Sequence, residues 1–335
     1  MKSRAVTLAA RPHGEPKPSD FRLVDADVPD PGPGQLLVRN HWISVDPYMR
    51  GRMNDVKSYV PPFALDAPMD GAAVGQVVAS GDERFSEGQW VLHTLGWREL
   101  ALVPADGAQP IDPDLAPPSA YLGVLGMPGL TAWVGLFDIA KLRDGESVFV
   151  SAAAGAVGSV AGQLAKVHGC RVVGSAGSAE KVAFLTDELG FDAAFNYKDG
   201  SAHELLPRCA PDGIDVYFDN VGGEQLEAAL VSLHDHGRVA MCGAISLYNA
   251  TELPPGPRSI PNVVRRRLTL RGYIVSDHFD RLKAFVNEVG PLVRDGRLRY
   301  HETVVDGLAN APDAFIGLLR GENVGKMIVR IDEEA

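Results

Sequence analysis

The stretch VFVSAAAGAVGSVAGQLAK (148–166) sets a short apolar strand, a run of small residues and a helix in that order. Gly155 and Gly158 have the spacing of the second and third glycines of a dinucleotide-binding turn, and Ala153 stands in place of the first. In such a turn the first glycine permits the sharp bend, the second lets backbone approach a pyrophosphate, and the third lets the helix pack on its strand. Alanine has the smallest side chain with a Cβ and so disturbs the bend least. The peptide N–H groups from Gly155 to Gly158, at the start of a helix, suit an anion. An acid about 20 positions farther on would hold an adenosine 2′-hydroxyl and select NAD. The next strand ends instead in GSAGS (174–178), which holds Gly174, Ser175 and Ser178 and is followed by Ala179, Glu180 and Lys181. Two hydroxyls and an ammonium suit a 2′-phosphate, so the expected cofactor is NADP(H).

The elements that would position this turn follow from periodicity. Strands at 147–151, 171–177, 192–197, 214–220, 238–244 and 268–275 alternate with helices at 156–169, 179–190, 201–210, 223–237 and 277–295. Such alternation implies parallel βαβ units in an α/β chain, a Rossmann-type doubly wound sheet over 123–298. A helix over 130–140 leads into it. Residues 1–122 are rich in Pro, Gly and short β-type runs (35–45, 71–80, 89–95) and read as an irregular, mainly-β domain. The tail 299–335 returns to β-like runs around a short helix at 311–320 and is expected to complete it.

Bulk properties exclude other classes. The 335 residues suit two domains. No apolar run reaches the roughly 18–20 residues of a membrane span, and the N-terminus lacks the apolar core of a secretory leader. A net charge of −11 argues against nucleic acid. Cys170, Cys209 and Cys242 are too scattered for a disulfide framework or a metal site and read as reduced thiols of a cytoplasmic protein.

With these motifs in place the chain resembles the zinc-independent medium-chain dehydrogenase/reductases, within them the leukotriene B4 dehydrogenase / prostaglandin reductase / alkenal reductase group. The motifs run in order over nearly the whole chain: DPYMRGRM (46–53), MDGAAVGQVVASG (69–81), GMPGLTAW (126–133), AAAGAVGSVAGQLAK (152–166), FNYK (195–198), FDNVGG (218–223), MCGAISLYN (241–249), RGYIVSD (271–277) and NVGKMIV (323–329). The resemblance implies a GroES-like first domain and a homodimer. It places the pyrophosphate turn on Ala154, Gly155, Ala156 and Val157, and the adenosine phosphate on Ser178, Lys181 and Tyr197. It places the nicotinamide on Asn220, Cys242, Gly243, Ile274 and Asn323, and the substrate beside Tyr48 and Tyr248. Where zinc-dependent relatives carry a cysteine and a His-Glu pair, this chain reads ISVDPYMR and MDGAAVG. A catalytic zinc needs three protein ligands, so no metal is expected.

Without a Lewis acid, hydride addition to the β-carbon of an enone or enal is the chemistry best served. Charge then develops on a conjugated oxygen that one hydrogen-bond donor can hold. Tyr248 is the first choice for that donor, with Tyr48 shaping the pocket. The expected function is therefore NADPH-dependent reduction of the α,β double bond of a small-molecule enone or enal. The alternatives are a quinone reductase of the same fold or a non-catalytic NADPH-binding protein. The Pro-rich segment 247–263 reads as a partly mobile lid.

Overall fold

The protein is described by a computed structural model over residues 1–252 and 254–331. The segment read as a lid contains Leu253, which lies outside the described residues, as do 332–335. The chain divides into two units, Met1–Leu122 with Glu302–Ala335, and Gly123–His301.

Unit 1 begins with β1 (Lys2–Leu8) and β2 (Phe21–Asp27), an antiparallel pair absent from the sequence reading. β3 (Gln35–Ser44), α1 (Met49–Arg52), β4 (Ala73–Ser80), β5 (Trp90–His93), β6 (Leu100–Pro104) and β7 (Gln109–Pro110) follow. Unit 2 contains α2 (Met127–Val134), β8 (Ser147–Val150), α3 (Ala156–Val167), β9 (Arg171–Ala176), α4 (Ala179–Ala183), β10 (Ala193–Asn196), α5 (Ala202–Cys209), β11 (Ile214–Asp219), α6 (Gly223–Ser232), β12 (Leu233–Met241), α7 (Pro261–Arg265), β13 (Thr269–Gly272) and α8 (Leu282–Arg294). The chain then returns to unit 1 with β14 (Glu302–Asp306), α9 (Ala311–Leu319) and β15 (Lys326–Arg330).

In unit 1, β15 lies between β14 and β3, so the tail is built into the sheet order β14-β15-β3-β4-β5-β7, with β6 on β3. Its core gathers Val6, Ile43, Met49, Trp97, Phe315 and Val329. A buried ion pair, Lys326 Nζ to Asp46 Oδ1 at 3.2 Å, sits under the turn that starts α1. The ammonium also donates to the Val45 and Met327 carbonyls, both at 2.8 Å, and burial lowers its pKa.

In unit 2, every strand pairing is parallel, in the order β10-β9-β8-β11-β12-β13. Helices on both faces require strands apolar on both sides. Val148, Phe149, Val150, Val172, Val173, Tyr217 and Phe218 are all fully covered.

Several helices are shorter than their periodicity implies. α6 stops at Ser232, and 233–237 joins the strand side. There Arg266 donates to the Leu233 carbonyl, and the His234 ring is held by Asp215 at 2.8 Å, which draws the chain out of the helix. α4 is followed by a wider turn over Phe184–Glu188, as α2 is over Gly135–Ile139. The helix expected from 277 becomes α-helical only at Leu282, after a 3₁₀ stretch at Val275–Arg281. Residues 299–301 stay with unit 2 because the buried Gln163 amide clamps Arg299. It donates to the Arg299 carbonyl at 2.7 Å and accepts its N–H at 2.8 Å. No described helix is long and apolar enough to cross a membrane.

Candidate functional site

The order of the unit 2 sheet reverses between β8 and β11. In open parallel sheets, ligands bind outside the carboxyl ends of the strands at such a switch point. Two segments leave the sheet there, Ser151–Gly155 after β8 and Asn220–Gly222 after β11.

The first segment explains how alanine replaces glycine at 153. The left-handed residue is Ala152, with φ of 47°, a strain of roughly 1–2 kcal/mol. Ala153 itself donates to the Ser175 carbonyl at 2.9 Å. Its methyl lies 2.9 Å from where a Cβ on Gly174 would stand. The extra methyl on the turn is thus accommodated by a glycine on the neighbouring strand. Gly155 is the N-cap of α3, with φ of −86° and ψ of 176°. A Cβ at Gly158 would stand 2.5 Å from the Ala152 carbonyl oxygen, so this glycine is what lets α3 sit on the turn. The first N–H groups of a helix have no partner within it, so Ala156, Val157 and Gly158 present donors on the switch-point side. Ala154 is buried.

The expected phosphate residues separate into two groups. Gly174 and Ser175 are buried inside the sheet, and the Ser175 hydroxyl is committed to Gln225 Oε1. This corrects the reading of Ser175 as a donor at the strand tip: it faces α6. Ser178 caps α4, its Oγ accepting the Lys181 N–H at 3.3 Å. Tyr197 is exposed, and its hydroxyl lies 3.0 Å from where a Cβ on Gly177 would stand. Lys181 is half-buried, and its pKa is lowered first by desolvation and then by the nearby Lys198 ammonium. Lys198, which the sequence reading passed over, follows Tyr197 directly, with Nζ 6.0 Å from that ring's centre. Its signal was a basic residue just past β10, the strand beside β9. Two ammonium groups near the tips of adjacent strands, in a chain of net charge −11, make a local basic site fit for a phosphate.

At the other end, the segments after β11 and β12 are joined backbone to backbone. The Asp219 carbonyl accepts N–H from Cys242 at 2.9 Å and Gly243 at 3.0 Å, the Asn220 carbonyl from Ile245 at 3.2 Å, and the Val221 carbonyl from Ser246 at 3.3 Å. Asn220 also donates through Nδ2 to the Ser151 carbonyl at 2.7 Å. Tyr248 closes the turn over Ile245–Leu247, and its hydroxyl lies 3.3 Å from where a Cβ on Gly243 would stand. Tyr248, Gly243, Cys242 and Asn220 are thereby brought together. Ile274 is half-buried just past β13. In unit 1, Tyr48 precedes α1, and burial and the Asp46 carboxylate push its pKa well above the usual phenol range. Asn323, also in unit 1, is buried and donates Nδ2 to the Gly325 carbonyl at 2.7 Å.

The pattern described as the N-terminal domain of oxidoreductase matches residues 4–111, and that described as zinc-binding dehydrogenase matches residues 156–289. The NADPH-dependent curcumin reductase of Escherichia coli is 44% identical, over 99% of this chain and 97% of that one. The 2-alkenal reductase (NADP(+)-dependent) of Nicotiana tabacum is 41% identical, over 100% and 99%. The crystal structure of CurA in complex with NADPH from Vibrio vulnificus superposes with a TM-score of 0.93 at 42% identity, over 98% and 99%. The second pattern's description names zinc. Among the described residues no group of three or more His, Cys, Asp or Glu is placed to hold a metal ion.

Burial pushes the Cys242 thiol up to about 12. A raised thiol pKa means the neutral form persists, with about one thiolate in ten thousand at pH 8. Iodoacetamide at pH 8 is therefore expected to leave Cys242 unmodified in the folded protein and to label it after denaturation. Peptide mass spectrometry reads this, and rapid labelling of the folded chain would contradict it.

Proposed function

The chain belongs to the medium-chain dehydrogenase/reductase family, and on that premise we propose that it reduces the α,β carbon–carbon double bond of enones and enals with NADPH. The observation that carries this reading is Tyr248, whose hydroxyl stands over Gly243 on the segment that follows β12. The relatives named for curcumin, alkenal and prostaglandin reduction support the substrate class.

NADPH, when bound, supplies the hydride. Lys181, Lys198, Tyr197 and the Ser178 hydroxyl hold the 2′-phosphate. The N–H groups that open α3 hold the pyrophosphate. Asn220, Cys242, Gly243 and Ile274 contact the nicotinamide. The Tyr248 phenol donates a hydrogen bond to the substrate oxygen, where the conjugated π electrons would come to rest as an enolate when the β-carbon gains its hydrogen. A phenol is a weak acid and can make such a bond at neutral pH while keeping its proton. The α-carbon takes its proton from solvent. In unit 1, burial and then the Asp46 charge keep the Tyr48 phenol protonated.

The sheet order leaves the outer edge of β13 unpaired by any described strand. Val264, 81% exposed, and Ile260, 51% exposed, are on the same unit. An unpaired strand edge favours pairing with another chain, and we assign this one to a second copy of this protein in a homodimer. Sedimentation is expected to show a particle of two chains that an Arg271→Pro change in β13 returns to one; an unchanged wild-type monomer would refute the assignment.

For the cofactor, Lys181→Ala and Lys198→Ala should each weaken NADPH binding by about 1–3 kcal/mol, the scale of a charged hydrogen bond, and leave NADH nearly untouched. Equal losses for both cofactors would remove the 2′-phosphate assignment.

The reaction is read by isotope. With NADPH deuterated at the transferred position, label is expected on the β-carbon of the saturated ketone, with the α-hydrogen from water. Label on the carbonyl carbon, or turnover confined to quinones, would overturn the reaction class. Tyr248→Phe should lower kcat by about 10–1,000-fold, up to the cost of one oxyanion donor, with NADPH affinity almost unchanged.

A further inference from the structure

Asp219 ends β11 with its side chain fully buried beside the switch point. Its Oδ1 accepts the Gly222 N–H at 2.7 Å, the Val221 N–H at 3.0 Å and the Tyr217 hydroxyl at 2.7 Å. The Tyr217 hydroxyl also lies 3.0 Å from Ser151 Oγ, which in turn accepts the Asn220 N–H at 3.0 Å. One carboxylate oxygen thus gathers the donors of the turn after β11, and a phenol and a hydroxyl tie that turn to the residue that follows β8. Gly222 and Gly223 take φ of 69° and 52°, conformations the turn reaches only because it is held and has no Cβ there. Oδ2 is buried and has no hydrogen-bond partner among the described residues. Burial raises the carboxyl pKa while the donors to Oδ1 pull it down. Nothing in the sequence reading gave Asp219, Tyr217 or Ser151 a role.

We propose that Asp219 is a positioning residue for the reacting end of the site, its Oδ1 shaping the Asn220–Gly222 turn onto which the Cys242–Ser246 segment, and with it Tyr248, is hydrogen-bonded. It touches neither substrate nor cofactor. The order of effect is Tyr217 and Ser151 on Asp219, Asp219 on the turn, and the turn on Tyr248. The proposal rests on the reading of Tyr248 as the donor to the substrate oxygen.

The test compares Tyr217→Phe, Asp219→Asn and Asp219→Leu with the wild type in single-turnover oxidation of NADPH by 3-nonen-2-one. Tyr217→Phe keeps the ring stacked on Phe149, 4.8 Å between centres, and deletes only the hydroxyl. It and Asp219→Leu should slow the turnover about tenfold or more, the scale of a buried hydrogen bond to a charged group. Asp219→Asn keeps an acceptor at Oδ1 and should stay within about threefold. Binding of 2′,5′-ADP, which reads the phosphate end alone, should be unchanged in all three. Tyr217→Phe should cost nothing further in the Asp219→Leu background. Wild-type turnover rates in Tyr217→Phe, Asp219→Asn as impaired as Asp219→Leu, or 2′,5′-ADP affinity falling in step with rate would each overturn the positioning role. If Asp219→Leu does not fold, Tyr217→Phe decides. If the wild type reduces no enone, the functional reading fails separately. Amide exchange at Cys242–Ser246 then decides the clamp: faster exchange in Tyr217→Phe supports it and unchanged exchange overturns it.

Discussion

The pairing of β8 with β11 constrains everything else in unit 2. Val216, Tyr217 and Phe218 lie in parallel register with Val148, Phe149 and Val150. The connections out of these two strands diverge, one toward β9 and the other toward β12. Divergence leaves a gap that neither connection fills. The ladder then fixes which residues border it: Ser151 from one strand, Asp219 and Asn220 from the other. A slip of β11 by one residue would turn Tyr217 to the opposite face of the sheet, away from Phe149, and put Phe218 where Tyr217 now reaches Ser151. Core packing and site geometry are therefore one constraint, because the ring that stacks on Phe149 also carries the hydroxyl that meets Asp219.

The two ends of the gap use different physics. At the end proposed for the phosphate, the start of α3 supplies direction and Lys181 and Lys198 supply charge. Desolvation first, and then the Lys198 ammonium, lower the Lys181 pKa, and an anion held there would favour the charged form. At the reacting end no formal charge is brought in from outside the fold. Position comes from backbone carbonyls of 219–221 accepting N–H groups of 242–246, and such bonds keep their geometry when salt or pH changes.

Much of this was legible in the sequence because periodicity and small residues are local signals. Alternating strands and helices gave the unit 2 sheet, and Gly155 and Gly158 gave its turn. What was not legible depends on facing. Ser175 sits on the strand that ends in GSAGS, yet which of two alternating faces it takes depends on where α6 packs, and Gln225 is fifty residues away in sequence. Lys198 was missed because it comes near Lys181 from the next strand over, and strand adjacency is not written in spacing. The role of Ala153 was misplaced by one residue for a similar reason. A left-handed alanine at 152 leaves no mark in composition, and the glycine that accommodates Ala153 is Gly174, on another strand. β1 and β2 went unread because Ala5, Val6, Thr7 and Leu8 are buried on both faces of β1 and Leu23 stands exposed in β2, so neither strand shows a clean two-residue alternation.

The buried Asp219 shows what such a site asks of the fold. Covering a carboxyl removes water from both oxygens, and only Oδ1 recovers donors. The unpartnered Oδ2 costs about 1–3 kcal/mol, a cost that an apolar residue of similar size would avoid. An apolar residue would, however, leave the Val221 and Gly222 N–H groups without an acceptor, in a turn whose φ values are reached only under restraint. The Asp219 side chain therefore trades one unsatisfied oxygen for two satisfied backbone donors and a defined path from β11 to α6. The trade is local, lies at the strand-order reversal, and falls on the segment that carries Asn220. Polar burial of this kind is expected where a fold must hold one conformation of a loop rather than merely bury it.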